Sequence, residues 1–340
     1  MLMLTDRQKL ILKAIIEEYV TSNEPVGSKA LTEKPYLSFS SATIRYEMQH
    51  LEETGYLLKT HTSSGRIPSE IGYRYYIDHL LIRDEAVSEY YPYIDKVFDN
   101  AYYSKEDVTK KLAEALSHLT GYYAAIVSSP SDNAKVLKLE IVPLNDKETI
   151  LLIVTSSGSV QNQRITIPNG YKMDDLLRII QMFDNAMYGH SIYEIRDILT
   201  QEASKPRIRQ MVDFRDDILN FLIKAFSRFS RGEMYDSGLS KLLGHPEFED
   251  HNVMQNLIKA IDSEVMKSFA TQADMGIQIH VGGENMCDGL EGCSIVTMPF
   301  IVNENENGSI ILVGPTRMNY RATIPLLEYV AKNMHKLNNR

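Results

Sequence analysis

The stretch SATIRYEMQHLEETGYLLKTHTSSGRIP, Ser41–Pro68, decides how this chain is read. On a helical wheel of about 100° per residue, Ile44, Met48 and Leu51 fall in one narrow sector that must face a core. Ala42, Tyr46 and Gln49 lie opposite them, with Thr43 and Arg45 on the flanks. Ser40 is placed to cap this helix, Phe39 to staple onto Ile44, and Gly55 to end it where a left-handed residue is needed. Tyr56-Leu57-Leu58 then reads as a strand, and Ser63-Ser64-Gly65 as a turn before Arg66 and Ile67.

Upstream, Thr5 and Gln8 have capping-box spacing, and Leu10, Ile11, Ala14, Ile15 and Tyr19 follow at helical intervals. Asn23, Glu24 and Pro25 stop that helix. A short one begins near Gly27–Ser28 and runs through Ala30 and Leu31 until Pro35. Helix, helix, helix, hairpin is the order of a winged helix-turn-helix. Any solvated helix face can be polar, but this one follows a short helix and precedes a basic hairpin. Its donor fork, amide, hydroxyls and small apolar groups are the chemistry of base-edge reading in a major groove. Ser41, Ala42, Thr43, Arg45, Tyr46 and Gln49 are the expected contacts on the helix, and Lys59, His61, Thr62, Ser63, Gly65 and Arg66 those in the hairpin. Lys59, His61 and Arg66 are expected to neutralise backbone phosphate, with Gly65 permitting the tight turn.

The net charge of −9 argues at first against a nucleic-acid binder. Its distribution reverses that. Ten Lys/Arg balance ten Asp/Glu over residues 1–83, so the whole acidic excess lies beyond them. No carboxylate falls between Glu53 and Glu70, where Lys59, His61 and Arg66 sit. A local basic strip on an acidic body binds DNA at one face and resists sticking elsewhere.

At 340 residues the chain is long enough for two or three domains, and 44% hydrophobic with 24% charged residues excludes global disorder. The longest uncharged run, Ala115–Ser131, carries His118, Gly121 and Pro130 and falls short of the ~18 apolar residues of a membrane span. Asp6 soon after Met1 gives no secretory pattern, so a cytoplasmic location without membrane contact is expected. Two cysteines, Cys287 and Cys293, make no disulfide framework and lack zinc-ligand spacing; two buried thiols are expected.

Residues 69–104 are transitional, and Tyr73, Tyr75, Tyr76, Tyr90, Tyr91 and Tyr93 are expected to pack rather than read bases. An amphipathic helix through Val108, Leu112, Leu116 and Leu119 ends at Gly121. Strands follow at 123–128, 136–143, 149–155 and 160–167. Residues 173–231 read as helices, including the run Met211–Phe229, and another helix covers 253–269. Three strands at 277–281, 294–302 and 309–313 precede a last helix over 324–337. Strands on both sides of a helical block indicate an α+β fold with a helical insertion.

No catalytic constellation stands out. The nine histidines form no His-Glu-x-x-His pair, Gly282-Gly283 lacks the third glycine and the lysine of a phosphate loop, and no Gly-x-Ser-x-Gly elbow exists. Neither an enzyme nor a bound cofactor is expected. An enzyme fused to a winged helix, as in some ligases, would need the missing nucleotide loop.

Ser41-Ala42-Thr43-Ile44-Arg45 with Met48 and Leu51, then His61–Pro68, resembles the heat-inducible transcription repressor (HrcA) family. The resemblance continues in Gly72-Tyr73-Arg74, Gly238-Leu239, Pro246-Glu247-Phe248, Gly282–Asn285, Cys293–Val296 and Gly314–Tyr320, and covers nearly the full chain. Tyr46 stands where the family pattern usually has Asn, and Ser64 where it has Ala. The resemblance implies a winged helix-turn-helix over 1–83, a linker over 84–104, a GAF-like α/β domain over 105–170 and 250–340, and an inserted, mainly helical dimerising domain over 171–249. It further implies a homodimer on an inverted-repeat operator in double-stranded DNA, repression of chaperone operons, release by heat, and support by the chaperonin. The alternative is a small-molecule-responsive regulator that uses the GAF-like domain as an effector pocket.

Overall fold

Thr5 starts the first helix, α1 (Asp6–Ser22), through the expected capping box: its hydroxyl accepts the Gln8 N–H at 3.3 Å, and the Gln8 side chain accepts the Thr5 N–H at 2.9 Å. This is a computed structural model, which describes residues 4–60, 65–128, 135–156, 160–167, 173–191, 194–204, 222, 233–261, 263–271, 276–304 and 306–339. The hairpin tip 61–64, and the run Met211–Phe229 apart from Leu222, lie outside the described residues.

Helices α2 (Ser28–Thr32) and α3 (Ser41–Glu53) follow, then a two-stranded ribbon of β1 (Leu57–Lys59) and β2 (Arg66–Pro68). Gly55 has φ +83° and closes α3 in the expected left-handed conformation. Helix α4 (Glu70–His79) is capped by Ser69, whose hydroxyl accepts the Gly72 N–H at 3.0 Å and donates to the Gly55 carbonyl at 2.6 Å.

Residues 84–104 are not a free linker. A 3-10 helix (Glu85–Tyr90) and α5 (Tyr91–Phe98) pack on the last helix of the chain, Tyr320–Asn333. The Tyr91 and Tyr329 rings stack with centroids 3.7 Å apart, and the Tyr329 hydroxyl donates to Asp95 at 2.7 Å. Tyr73, Tyr75 and Tyr76 are buried in α4, as expected of packing aromatics, whereas Tyr90 and Tyr93 are exposed against that expectation.

Two compact units emerge. The first joins Met1–Val127, Met234–Val302 and Gly308–Arg340. Its five-stranded sheet has the order β7-β3-β10-β9-β8, with β3 at Tyr123–Ser128, β7 at Met234–Ser237, β8 at Gln278–Val281, β9 at Cys293–Asn303 and β10 at Glu306–Pro315. Helix α6 (Lys105–Thr120) leads into this sheet and ends at Gly121, φ +76°. Alternate residues of one strand feed two cores. Ala124 and Ile126 join the core that runs through Ile11, Ile44, Leu112 and Leu327, whereas Tyr123, Ala125 and Val127 join a second core with Phe248, Ile295 and Val313. A strand buried on both faces reads as a continuous apolar run, which explains Tyr123–Val127.

The second unit comprises Ser128–Glu233 and Asn303–Asn307. Strands β4 (Val136–Asn145), β5 (Glu148–Thr155) and β6 (Val160–Thr166) form their own antiparallel sheet. Leu139, Ile141, Leu151 and Ile153 bury one face against Ile179, Ile180 and Phe183 of α7 (Met173–Met187). The division therefore falls near 128 and 233, not at 171 and 249 as expected. Strand alternation is a local signal and does not say which sheet a strand joins. Strand β7 lies in the block expected to be helical; four residues at a sheet edge, with little apolar content, carry no strand signal. The helix expected over 253–269 is two, His251–Ala260 and Ser263–Thr271, and the last helix starts at Tyr320 rather than at 324.

Candidate nucleic-acid interface

Helix α3 is anchored on its inner side and bare on its outer side. Ser40 caps it, accepting the Thr43 N–H at 3.1 Å, and Ile44, Met48 and Leu51 are buried as the wheel requires. An acid that the sequence did not single out shares that inner side. Glu47 is buried and accepts from Gln8 Nε2 at 3.1 Å and Arg7 Nη1 at 3.3 Å. The Arg7 guanidinium also lies over the Phe39 ring, 5.6 Å from its centroid. The glutamine that boxes α1 thus also ties α1 to α3, a link between positions 39 residues apart.

On the outer side Ser41, Ala42, Arg45, Tyr46 and Gln49 are exposed and Thr43 is half-buried. Tyr46 is 71% exposed. Arg45 and Tyr46 make no side-chain hydrogen bond or ion pair among the described residues, and Gln49 reaches only Glu53, at 2.9 Å. The hydroxyls of Ser41 and Ser28 lie 3.1 Å apart, so the starts of α2 and α3 meet at one edge of this face. Ser28 belongs with the candidate contacts. Its position at the start of a helix was the available signal.

The hairpin departs from expectation at two residues. Arg66 is not free for phosphate: Nη2 and Nε lie 2.6 and 2.7 Å from Glu52 Oε2 on α3, and its side chain is only 15% exposed. Its backbone also exchanges two 2.9 Å hydrogen bonds with Val26, an isolated bridge that ties the ribbon to the chain just before α2. Gly65 has no left-handed φ. It is needed because a Cβ there would stand 2.7 Å from the Pro25 carbonyl oxygen. Lys59, opposite Arg66 in the ribbon, is exposed as expected. His61, Thr62 and Ser63 lie outside the described residues.

Arg66→Ala should accordingly lower stability by about 1–2 kcal/mol through the orphaned Glu52. It should leave the slope of log affinity against log salt unchanged, whereas Lys59→Ala should reduce that slope by about one unit. Titrations of DNA binding across salt concentrations decide between them. An Arg66→Ala slope as shallow as that of Lys59→Ala would return Arg66 to the phosphate contacts.

Of the two cysteines only Cys293 is buried, and burial pushes its thiol up to about 12; Cys287 is half-exposed. Among the described residues no group of three His, Cys, Asp or Glu side chains could hold a metal ion, and no helix is long and apolar enough to cross a membrane.

Residues 106–324 match the family described as "HrcA protein C terminal domain". The chain is 41% identical over 336 residues to the heat-inducible transcription repressor HrcA of Acholeplasma laidlawii strain PG-8A, covering 98% of each chain. It is 38% identical to the protein of the same name from onion yellows phytoplasma, covering 99% of each, and 34% identical to that of Halalkalibacterium halodurans, covering 98% of each. A crystal structure described as that of a hypothetical protein shares the fold, with a TM-score of 0.65, 22% identity and 99% of each chain covered.

Proposed function

The chain belongs to the HrcA family of heat-inducible transcription repressors, and from that premise we propose that it reads an inverted-repeat operator as a homodimer, with α3 in the major groove. It represses heat-shock genes and is not an enzyme. One observation carries the reading of the site: a helix pinned to its core by Ile44, Met48, Leu51 and Glu47 leaves Ala42, Arg45, Tyr46 and Gln49 exposed in a single stripe.

In this reading residues 1–83 form a winged helix-turn-helix, and the ribbon β1–β2 is the wing. Arg45 and Gln49 donate to base edges, the Tyr46 ring takes the position beside them, and Ser28, Ser41 and Lys59 meet phosphate. Counted in chain order, the strands of the five-stranded sheet lie 2-1-5-4-3, which supports a GAF-like body. The unit Ser128–Glu233 supplies part of the dimer interface. The face of its sheet turned away from α7 supports this, since Ile150, Leu152 and Val154 are half-buried there and Val142 and Val160 exposed. Chaperone operons in the cytoplasm are the targets.

Heat acts through the marginal stability of the active dimer, because a large unfolding enthalpy makes the folded population fall steeply with temperature. Fifteen Met and no Trp fit an adaptable core. The chaperonin returns inactive chains to the binding form, so operator occupancy reports free chaperone. Purified protein should lose binding to the DNA upstream of its own gene on modest heating, and regain it on cooling with chaperonin and ATP. Full activity after heating, or recovery indifferent to chaperonin, would overturn this account of release.

A further inference from the structure

Among the described residues three ion pairs join residues 1–83 to the body, Arg74–Glu284, Arg321–Glu17 and the more exposed Arg83–Glu328, and the arginines of the first two also donate to backbone carbonyls across the seam. Arg74 of α4 forks onto Glu284: Nε donates to Oε1 at 3.0 Å and Nη2 to Oε2. Nη2 also donates to the Ile279 carbonyl, and Nη1 reaches Asp78 at 3.3 Å. The Val281 N–H donates to Glu284 at 2.8 Å. Burial raises the affinity of the Glu284 carboxyl for its proton, but Arg74 and this N–H outweigh it and hold the group below the usual carboxylate range.

One turn earlier, Glu70 accepts the Gly283 N–H at 3.2 Å. Gly282 has φ +58°, and a Cβ there would lie 1.9 Å from Glu70 Oε1. Gly282, in a pair that is meaningless as a phosphate loop, thus lets this loop meet α4, and Gly283 contributes its N–H.

The second contact is made by Arg321. Nη1 pairs with Glu17 of α1 at 3.0 Å, and Nε donates to the Ile82 carbonyl at 3.0 Å. Pro325 has no N–H to offer the Arg321 carbonyl four residues before it. That carbonyl instead accepts the Asp84 N–H at 3.0 Å. A cavity of ≈ 220 Å³ lined by Glu17, Tyr76, Asp84 and Arg321 lies along the seam. Elsewhere the apolar core is continuous, with Tyr73 and Tyr76 of α4 packed in one cluster with Tyr320 and Leu327, and the two arginines add direction to a contact that apolar burial alone leaves free to slide.

We propose that the Arg74–Glu284 fork and the Arg321–Glu17 bridge are positioning contacts for operator recognition. They set the angle of α3 on the body, and with it the half-site spacing that a symmetric pair of chains accepts. The proposal rests on the homodimer and inverted-repeat reading above. A rigid pair engages both half-sites only at the matching separation, whereas a loosened pair reaches several.

The probes are the inverted-repeat duplex that the wild-type chain selects from a randomised pool, the same duplex with its spacer changed by a few base pairs, and a single half-site. Wild type should lose about 100-fold in affinity on the altered spacer, and Arg74→Gln or Arg321→Gln no more than about tenfold. Both variants should keep wild-type affinity for the half-site, and Arg74→Lys, which keeps the charge without the fork, should fall between. Glu284→Gln is the milder change should Arg74→Gln fold poorly. Spacer discrimination equal to wild type in Arg74→Gln and Glu284→Gln overturns the proposal. So does a parallel loss of half-site affinity and thermal stability, which marks a contact that is structural only. A pool that yields no inverted repeat overturns the homodimer reading and this inference with it.

Discussion

Gly72→Ala is expected to lower the stability of the DNA-reading segment by about 2–3 kcal/mol and to weaken binding to operator and non-operator DNA alike. Gly72 lies in the first turn of α4, buried against the chain where α3 gives way to β1. A Cβ at this position would stand 2.3 Å from the Tyr56 carbonyl oxygen. That oxygen already accepts the Ser69 N–H at 3.1 Å, and the Tyr56 N–H donates to Leu51 at 2.8 Å. The clash is with backbone held from both sides, so no rotamer change relieves it. Alanine favours a helix over glycine by about 1 kcal/mol, which is too little to offset the overpacking. Thermal or denaturant unfolding checks this. A variant with the wild-type midpoint would mean that α4 can shift freely on Tyr56.

Arg45→Ala should do the reverse. Arg45 is exposed and makes no hydrogen bond or ion pair among the described residues, so its loss leaves the fold as stable as before. Operator affinity should nevertheless fall by about 1–3 kcal/mol, with binding to scrambled DNA little changed. The contrast separates the two expected roles: Gly72 holds the frame, and Arg45 is the proposed reader on it. Equal affinity of Arg45→Ala and wild type for the operator would remove α3 as the recognition helix.

Much of the proposed reading face is legible in the sequence. Ile44, Met48 and Leu51 are buried, and Ala42, Arg45, Tyr46 and Gln49 exposed, because a 13-residue helix with one apolar stripe has one way to lie on a core. Arg66 departs from expectation for an equally physical reason. Its positive charge between turn residues looks like a phosphate contact until Glu52 on the neighbouring helix is placed beside it. Nor could Glu47 be picked out, since a carboxylate on a helix normally faces water, and only Gln8 and Arg7 together make its burial tolerable.

What the sequence determined by itself lies within a few residues along the chain. It includes the capping box of Thr5, the left-handed ends at Gly55 and Gly121, the stripe of α3 and the apolar run of β3. Each follows from backbone geometry over a turn or a pleat, so the residues that decide it are neighbours. Tertiary structure alone decided which sheet β4–β6 joined, why Gly65 and Gly72 must lack a side chain, and that Arg74 meets a glutamate 210 positions away. Those outcomes depend on which backbone or charge arrives from elsewhere in the chain, and burial then turns an ordinary surface residue into a fixed contact.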